Sequence, residues 1–206
     1  MKLFLASSID KTLPFLSTLV PGHGKKVLFV ANAADPYSGD KFWVRWDRDA
    51  FQNLGYEIRE VDLREITPED FERLLNDVDI LHVCGGSVYY LVALLREKQF
   101  ETIIVNAIKN ESIIYTGTSA GSIVVSKNIK PFSYDQEEAE QVKKVLDHKG
   151  LGLIDFSIVP HCNQVDFVAE HQKMVAQMRN DPEPLFFLQD NHAIWIDGDT
   201  MKLVKV

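Results

Sequence analysis

Seven short apolar runs with amphipathic stretches between them restrict the fold of this chain more than any other feature. The runs are Lys2–Ala6, Lys26–Asn32, Glu57–Val61, Asp79–Cys84, Ser112–Tyr115, Phe156–Val159 and Leu185–Leu188. Several are continuously apolar, as strands buried on both faces are. Helical spacing covers Phe42–Leu54, Val88–Glu97, Phe100–Lys109 and Val165–Met178. A further helix over Phe71–Leu75 is announced by Thr67-Pro68-Glu69-Asp70, which supplies a cap, a first-turn proline and a capping-box acid. Strands that alternate with helices require crossover connections, so the predicted fold class is α/β, a mostly parallel sheet with helices on both faces. The last stretch, Ala193–Val206, reads instead as two strands around Asp197-Gly198-Asp199, an antiparallel hairpin at the sheet edge. With 206 residues, the chain suits one domain spanning residues 1–206.

Inside this pattern lies Gly117-Thr118-Ser119-Ala120-Gly121, a G-x-S-x-G string that follows one apolar run and opens another. A strand that reverses sharply into a helix holds its central residue in strained backbone angles and leaves no room for side chains on either flank. The hydroxyl of Ser119 is therefore expected to project above the sheet. Working residues of open α/β sheets gather at the carboxyl ends of strands. Gly85-Gly86 and His161 meet that condition too, following Asp79–Cys84 and Phe156–Pro160. A hydroxyl, backbone-exposing glycines and an imidazole are what acyl transfer needs: a nucleophile, amide donors for an oxyanion and a base.

Of six histidines, His161 is the best placed, because Pro160 ends its strand and a loop begins at Cys162. His23 and His148 lie in polar turns, His171 in a charged helical pattern and His82 within a strand. His192 opens a strand and is expected at its wrong end. For the acid that would orient the base, Asp190 follows an apolar run, whereas Asp135 falls in the polar stretch Lys127–Gly150, which reads as a surface excursion near the site. Trp43, Trp46 and Tyr89-Tyr90 are candidates to line a cleft.

Composition narrows the partners. The net charge of -8 and the absence of any basic cluster beyond Lys25-Lys26 and Lys143-Lys144 speak against nucleic acid and anionic lipid surfaces. No run approaches the ~18 apolar residues of a membrane span, and the apolar stretch after Lys2 is too short for an export signal. Cys84 and Cys162, in apolar surroundings, fit a reducing compartment, so a cytoplasmic location is expected. His82 with Cys84, or His161 and Cys162 with Asp166, offers donor atoms without the spacing of a zinc site.

Taken together, Gly117-Thr-Ser-Ala-Gly-Ser122, Gly85-Gly-Ser-Val-Tyr-Tyr-Leu91, Pro160-His161 and Leu188-Gln-Asp190 resemble the peptidase E or aspartyl dipeptidase family, which also includes cyanophycinases. The resemblance implies a class I glutamine amidotransferase-like fold, with serine replacing the nucleophilic cysteine, and cofactor-free hydrolysis of small peptides. It places the nucleophile on Ser119, the base on His161 and the oxyanion donors on the amides of Gly86 and Ala120, with Gly85, Ser87 and Tyr89 beside the substrate. The acid falls on Asp190 or, on another account of the family, on Asp135. Two departures bear on specificity: the family's Gly-Gly-Asn-Thr-Phe is here Gly85-Gly86-Ser87-Val88-Tyr89, and no arginine stands between Asp166 and Met174. An aspartyl preference is therefore not carried over. The rival readings are an amidotransferase-like or esterase hydrolase, or a non-catalytic binding protein on the same scaffold.

Overall fold

The computed structural model of the chain describes residues 1–135, 138–180 and 184–206. Its central sheet has seven strands in the order β3-β2-β4-β5-β1-β8-β9. They are β1 (Lys2–Ala6), β2 (Lys26–Val30), β3 (Glu57–Val61), β4 (Ile80–Val83), β5 (Ile114–Thr118), β8 (His192–Asp197) and β9 (Thr200–Lys205). The five from β1 to β5 run parallel, while β8 pairs antiparallel with β1 and closes a hairpin with β9. Two of the predicted strands leave this sheet. Ser157–Val159 (β6) and Leu185–Phe187 (β7) form a separate parallel pair.

Alternation along each strand divides the core between the two faces. Leu3 and Leu5 of β1, Leu28 and Val30 of β2, and Leu81 and Val83 of β4 join one buried cluster. It is covered by the helices α3 (Pro68–Leu75), α4 (Val88–Glu97) and α5 (Phe100–Lys109), through Phe71, Leu91, Phe100 and Ile104. The intervening Phe4, Ala6, Val27, Phe29 and Ile80 face the other way. There they meet α1 (Ile9–Leu19) and α2 (Phe42–Asn53) through Ile9, Leu13, Leu16 and Phe51. The cap foreseen for α3 forms, with the Asp70 amide donating to Thr67 Oγ1 at 3.2 Å.

Helix α1 is the one long helix the sequence pattern did not announce. Pro14 lies inside it and removes one backbone donor, a change that disfavours a helix by about 3 kcal/mol. Burial of Ile9, Leu13 and Leu16, each contributing about 1.5–3 kcal/mol, more than offsets that loss.

The excursion after β5 is pinned rather than free. A short helix at Ala120–Ile123 (α6) precedes it, another at Ala139–Val142 (α7) lies within it, and isolated bridges join Ser126 to Ile154 and Asn128 to Lys149. Positions 136 and 137 of this stretch lie outside the described residues. The remaining helix, α8 (Val168–Gln177), follows a 3-10 turn at Val165–Phe167, so the predicted helix over Val165–Met178 begins one turn late.

Sterics at the end of β5 yield a direct test. A Cβ on Gly121 would stand 2.0 Å from the Val83 carbonyl oxygen, whereas one on the hairpin glycine, Gly198, meets nothing within 4 Å. Gly121→Ala is expected to destabilise the protein by about 3 kcal/mol or more. Gly198→Ala, strained only by its φ of +58°, should lose about 1 kcal/mol. Chemical denaturation of the two variants checks the ordering.

Candidate functional site

Ser119 sits between β5 and α6 at φ +50° and ψ -112°, a conformation that a non-glycine residue holds only when its surroundings enforce it. Those surroundings are identifiable. A Cβ on Gly117 would lie 2.4 Å from the backbone of Gly121, so the two glycines let the strand and the helix pass in contact. The Ser119 amide donates to Ala6 O at 3.1 Å. Ser122 Oγ lies 2.7 Å from the same carbonyl and 2.8 Å from Gly117 O. Tyr115 adds a bond from its hydroxyl to Gly121 O at 2.6 Å. The strained residue remains half-buried, with its neighbours fully enclosed.

The next residue of β1's end, Ser7, ties in the expected base. Its Oγ accepts the His161 amide at 2.8 Å and donates to Asp190 Oδ1 at 3.2 Å. His161 follows β6 at φ +58°, and its Nδ1 lies 2.7 Å from Asp190 Oδ1. Asp190 itself follows β7 and is held from two more sides. Gln164 Nε2 donates to its Oδ2 at 2.5 Å, and its amide donates to Asn163 Oδ1 at 2.9 Å. The bond with His161 is the main cause that keeps the Asp190 carboxyl below the usual carboxylate range, with Gln164 and Ser7 assisting against burial. Of the two acids weighed from sequence, Asp190 is therefore the one paired with His161. Asp135 instead closes the 3-10 turn Lys130–Tyr134. With Nδ1 engaged, Nε2 is the ring nitrogen left without a hydrogen-bond partner among the described residues. Among the described residues, no hydrogen bond joins it to Ser119 Oγ.

The glycine turn after β4 abuts Ser119. A Cβ on Gly85 would come within 3.2 Å of Ser119 Cβ and 3.8 Å of its Oγ. Gly86, at φ +147°, packs so closely on the loop after β2 that a Cβ would stand 2.1 Å from Ala33 O. Trp43 Nε1 donates to Gly85 O at 3.2 Å and steadies the turn. The amides of Gly86 and Ala120 have no hydrogen-bond acceptor among the described residues, which leaves both available to an anionic oxygen.

Two residues expected beside the substrate are engaged in helix capping and core packing. Ser87 is buried and caps α4, accepting the Tyr90 amide at 3.0 Å and donating to Glu138 Oε2 at 2.5 Å. Tyr89 points into the core, its hydroxyl 3.1 Å from Ile129 O and 2.8 Å from His148 Nδ1. Its place on α4 makes it a packing residue. Similarly, Tyr90 bonds Asp35 Oδ2 at 3.1 Å, and Trp46 is exposed.

His192 needs a different correction. It was expected at the wrong end of its strand, but β8 is antiparallel, so its first residue lies at the working edge and His192 O accepts the Ser7 amide at 3.1 Å. Ring contacts set it apart instead. Its Nδ1 accepts the Gln189 amide at 3.3 Å and its Nε2 is buried. His82 lies under α2 with Nδ1 2.9 Å from Thr116 Oγ1 and Nε2 3.3 Å from Asp47 Oδ2. Asp47, His82 and Cys84 bring three metal-donor types within 4.8 Å of one another, all buried. Both ring nitrogens of His82 face protein partners, so the cluster reads as a polar bridge between α2 and the sheet. Burial raises the thiols of both Cys84 and Cys162, which disfavours either thiolate near neutrality.

Sequence reasoning missed Ser7 and Glu138. A serine after an apolar strand carries no signal of what folds back onto it. Glu138 lies within the polar excursion, and its Oε1 accepts the Val88 amide at 2.8 Å, so a buried carboxylate caps α4. Burial pushes its carboxyl up to about 7, against 4.5 ordinarily. A carboxyl raised on folding binds more protons folded than unfolded between those values, so it lowers stability as pH rises across that window. The slope is at most about 1.4 kcal/mol per pH unit. Glu138→Gln should flatten that slope, and its Tm relative to the parent should climb from pH 5 to pH 7. Parallel curves would refute the assignment.

Residues 3–204 match the family model of peptidase family S51. An uncharacterized peptidase of Listeria monocytogenes, Lmo0363, is 26% identical over 197 residues, covering 95% of this chain and 94% of the relative. An uncharacterized peptidase of Pasteurella multocida, PM1590, is 29% identical over 208 residues, covering 99% and 97%. Among solved structures, a candidate peptidase E protein from Listeria monocytogenes EGD-e superposes with a TM-score of 0.87 at 25% identity, covering 100% of this chain and 98% of that one.

Proposed function

Since this chain belongs to peptidase family S51 and is a peptidase, we propose that it hydrolyses small peptides through an acyl-enzyme on Ser119. The observation that carries this reading is the strained φ of +50° at Ser119, maintained beside a glycine turn. Such strain persists where function requires a side chain in a position that ordinary backbone geometry does not reach. The pairing of His161 with Asp190, bound through Ser7 to the same strand end, adds support.

In this mechanism Ser119 Oγ attacks the scissile carbonyl while His161 Nε2 accepts its proton. The negative oxygen of the tetrahedral intermediate is met by the amides of Gly86 and Ala120. On collapse, the carbon–nitrogen bond breaks and His161 returns the proton to the leaving amine. A water molecule then attacks the acyl-enzyme with His161 again as base, releasing the acid and restoring Ser119. Asp190 accepts from Nδ1–H, which fixes the tautomer and stabilises the imidazolium. The contact between Ser119 and His161 forms as substrate binds, since catalytic hydrogen bonds are commonly long before that step.

Purified protein should cleave unblocked dipeptides. Ser119→Ala is expected to lower kcat/KM by about 10³-fold or more with an unchanged unfolding transition. Asp190→Asn should lower it by about 10²–10⁴-fold, through the wrong tautomer, and Asp135→Asn should leave it close to the parent. Steady-state kinetics with each variant decides. Full activity in Ser119→Ala rejects the nucleophile, and a larger loss in Asp135→Asn than in Asp190→Asn rejects the acid.

A further inference from the structure

A row of aromatic rings runs from His161 toward solvent. Phe167, in the turn before α8, stacks on the His161 ring with centroids 5.0 Å apart and planes at 26°. His171 of α8 stacks in turn on Phe167 at 6.1 Å and 21°. Phe187 of β7 meets His171 edge-on at 6.2 Å and 85°. Although they are packed together, Phe167 is 39% exposed and Phe187 43% exposed, an unusual state for adjoining large aromatics. Three separate elements converge to form the row, and its inner end touches the ring assigned as base.

Charge around the row disfavours an acidic ligand. No arginine lies between His161 and Met178, and the ammonium of Lys173, on the same helix, is turned away to Tyr134 O at 2.8 Å. Asp166 and Glu170 occupy the same segment. Burial, with the neighbouring His161, holds His171 below its ordinary pKa, which favours the neutral form of that ring. Among the described residues, this segment offers no arginine to an acidic side chain, and its one lysine ammonium is engaged by Tyr134 O. A large apolar side chain would cover exposed aromatic surface.

Position along the peptide follows from the chemistry. The base that returns a proton to the leaving amine stands on the leaving side of the scissile bond, so a wall stacked on that base flanks the leaving residue. Resting on the serine-peptidase reading, we propose that Phe167, His171 and Phe187 form an apolar subsite for the side chain on the carboxyl side of the scissile bond. The enzyme then selects small peptides whose leaving residue is large and apolar, such as Phe or Leu.

The test uses a dipeptide set with constant alanine first and Phe, Leu, Gly, Lys or Asp second, alongside p-nitrophenyl acetate, whose leaving group bears no amino-acid side chain. For the parent protein, kcat/KM for Ala-Phe and Ala-Leu should exceed that for Ala-Asp and Ala-Gly by about tenfold or more, the scale on which an apolar pocket discriminates. Phe167→Ala and Phe187→Ala should each shrink that ratio, and Phe167→Leu, which keeps an apolar wall, should retain most of it. A parent ratio near one, a preference for Ala-Asp, or a ratio unmoved in both alanine variants overturns the subsite. Turnover of the ester without turnover of any dipeptide also overturns it while sparing the nucleophile. Failure with ester and peptides alike overturns the serine-peptidase reading and the subsite with it.

Discussion

The carbonyl of Ala6, at the end of the strand β1, accepts both the amide of Ser119 and the hydroxyl of Ser122. This convergence holds the reversal between β5 and α6 in place. Without it, a serine at φ +50° would relax toward ordinary backbone angles, and its hydroxyl would leave the top of the sheet. The same geometry makes glycine obligatory on both flanks, since side chains there would collide with backbone at 2.0–2.4 Å. Conformational strain at one residue is thus sustained by hydrogen bonds and close packing distributed over β1, β4 and β5.

One residue further on, Ser7 extends this support to a second sheet. His161 and Asp190 follow the strands of the small β6–β7 pair rather than those of the central seven. Their position relative to Ser119 therefore depends on contacts between the two sheets, of which the Ser7 hydroxyl supplies two. Asp190 is bound additionally by Gln164 and Asn163, which come from the loop that His161 opens. The pair is consequently a local unit, tied by Ser7 to the strand end beside the elbow.

Much of this was legible from residue patterns. The parallel strands and the C-terminal hairpin followed from apolar runs and turn chemistry, because strands buried on both faces leave a dense local signature. The pairing of His161 with Asp190 could be anticipated from the rule that side chains at carboxyl ends of strands converge. What escaped notice depends on contacts distant in sequence. Helix α1 contains Pro14, which masks the pattern of Ile9, Leu13 and Leu16. Ser7 and Glu138 act through partners 154 and 51 residues away, respectively. The motif suggests a place beside the substrate for Ser87 and Tyr89, and their observed contacts are helix capping and core packing. The rule for parallel strands misplaces His192, because its own strand is antiparallel.

The central claim is that tertiary contacts at the elbow present Ser119 Oγ as an activated nucleophile with His161 as its base. Mass spectrometry after treatment with a fluorophosphonate tests it most directly, because the reagent reacts readily only with an activated serine hydroxyl. The account predicts one adduct per chain, mapped to the peptide containing Ser119, abolished by Ser119→Ala and strongly slowed by His161→Ala. An unmodified Ser119 in the folded parent protein, or labelling at an undiminished rate without His161, would contradict it.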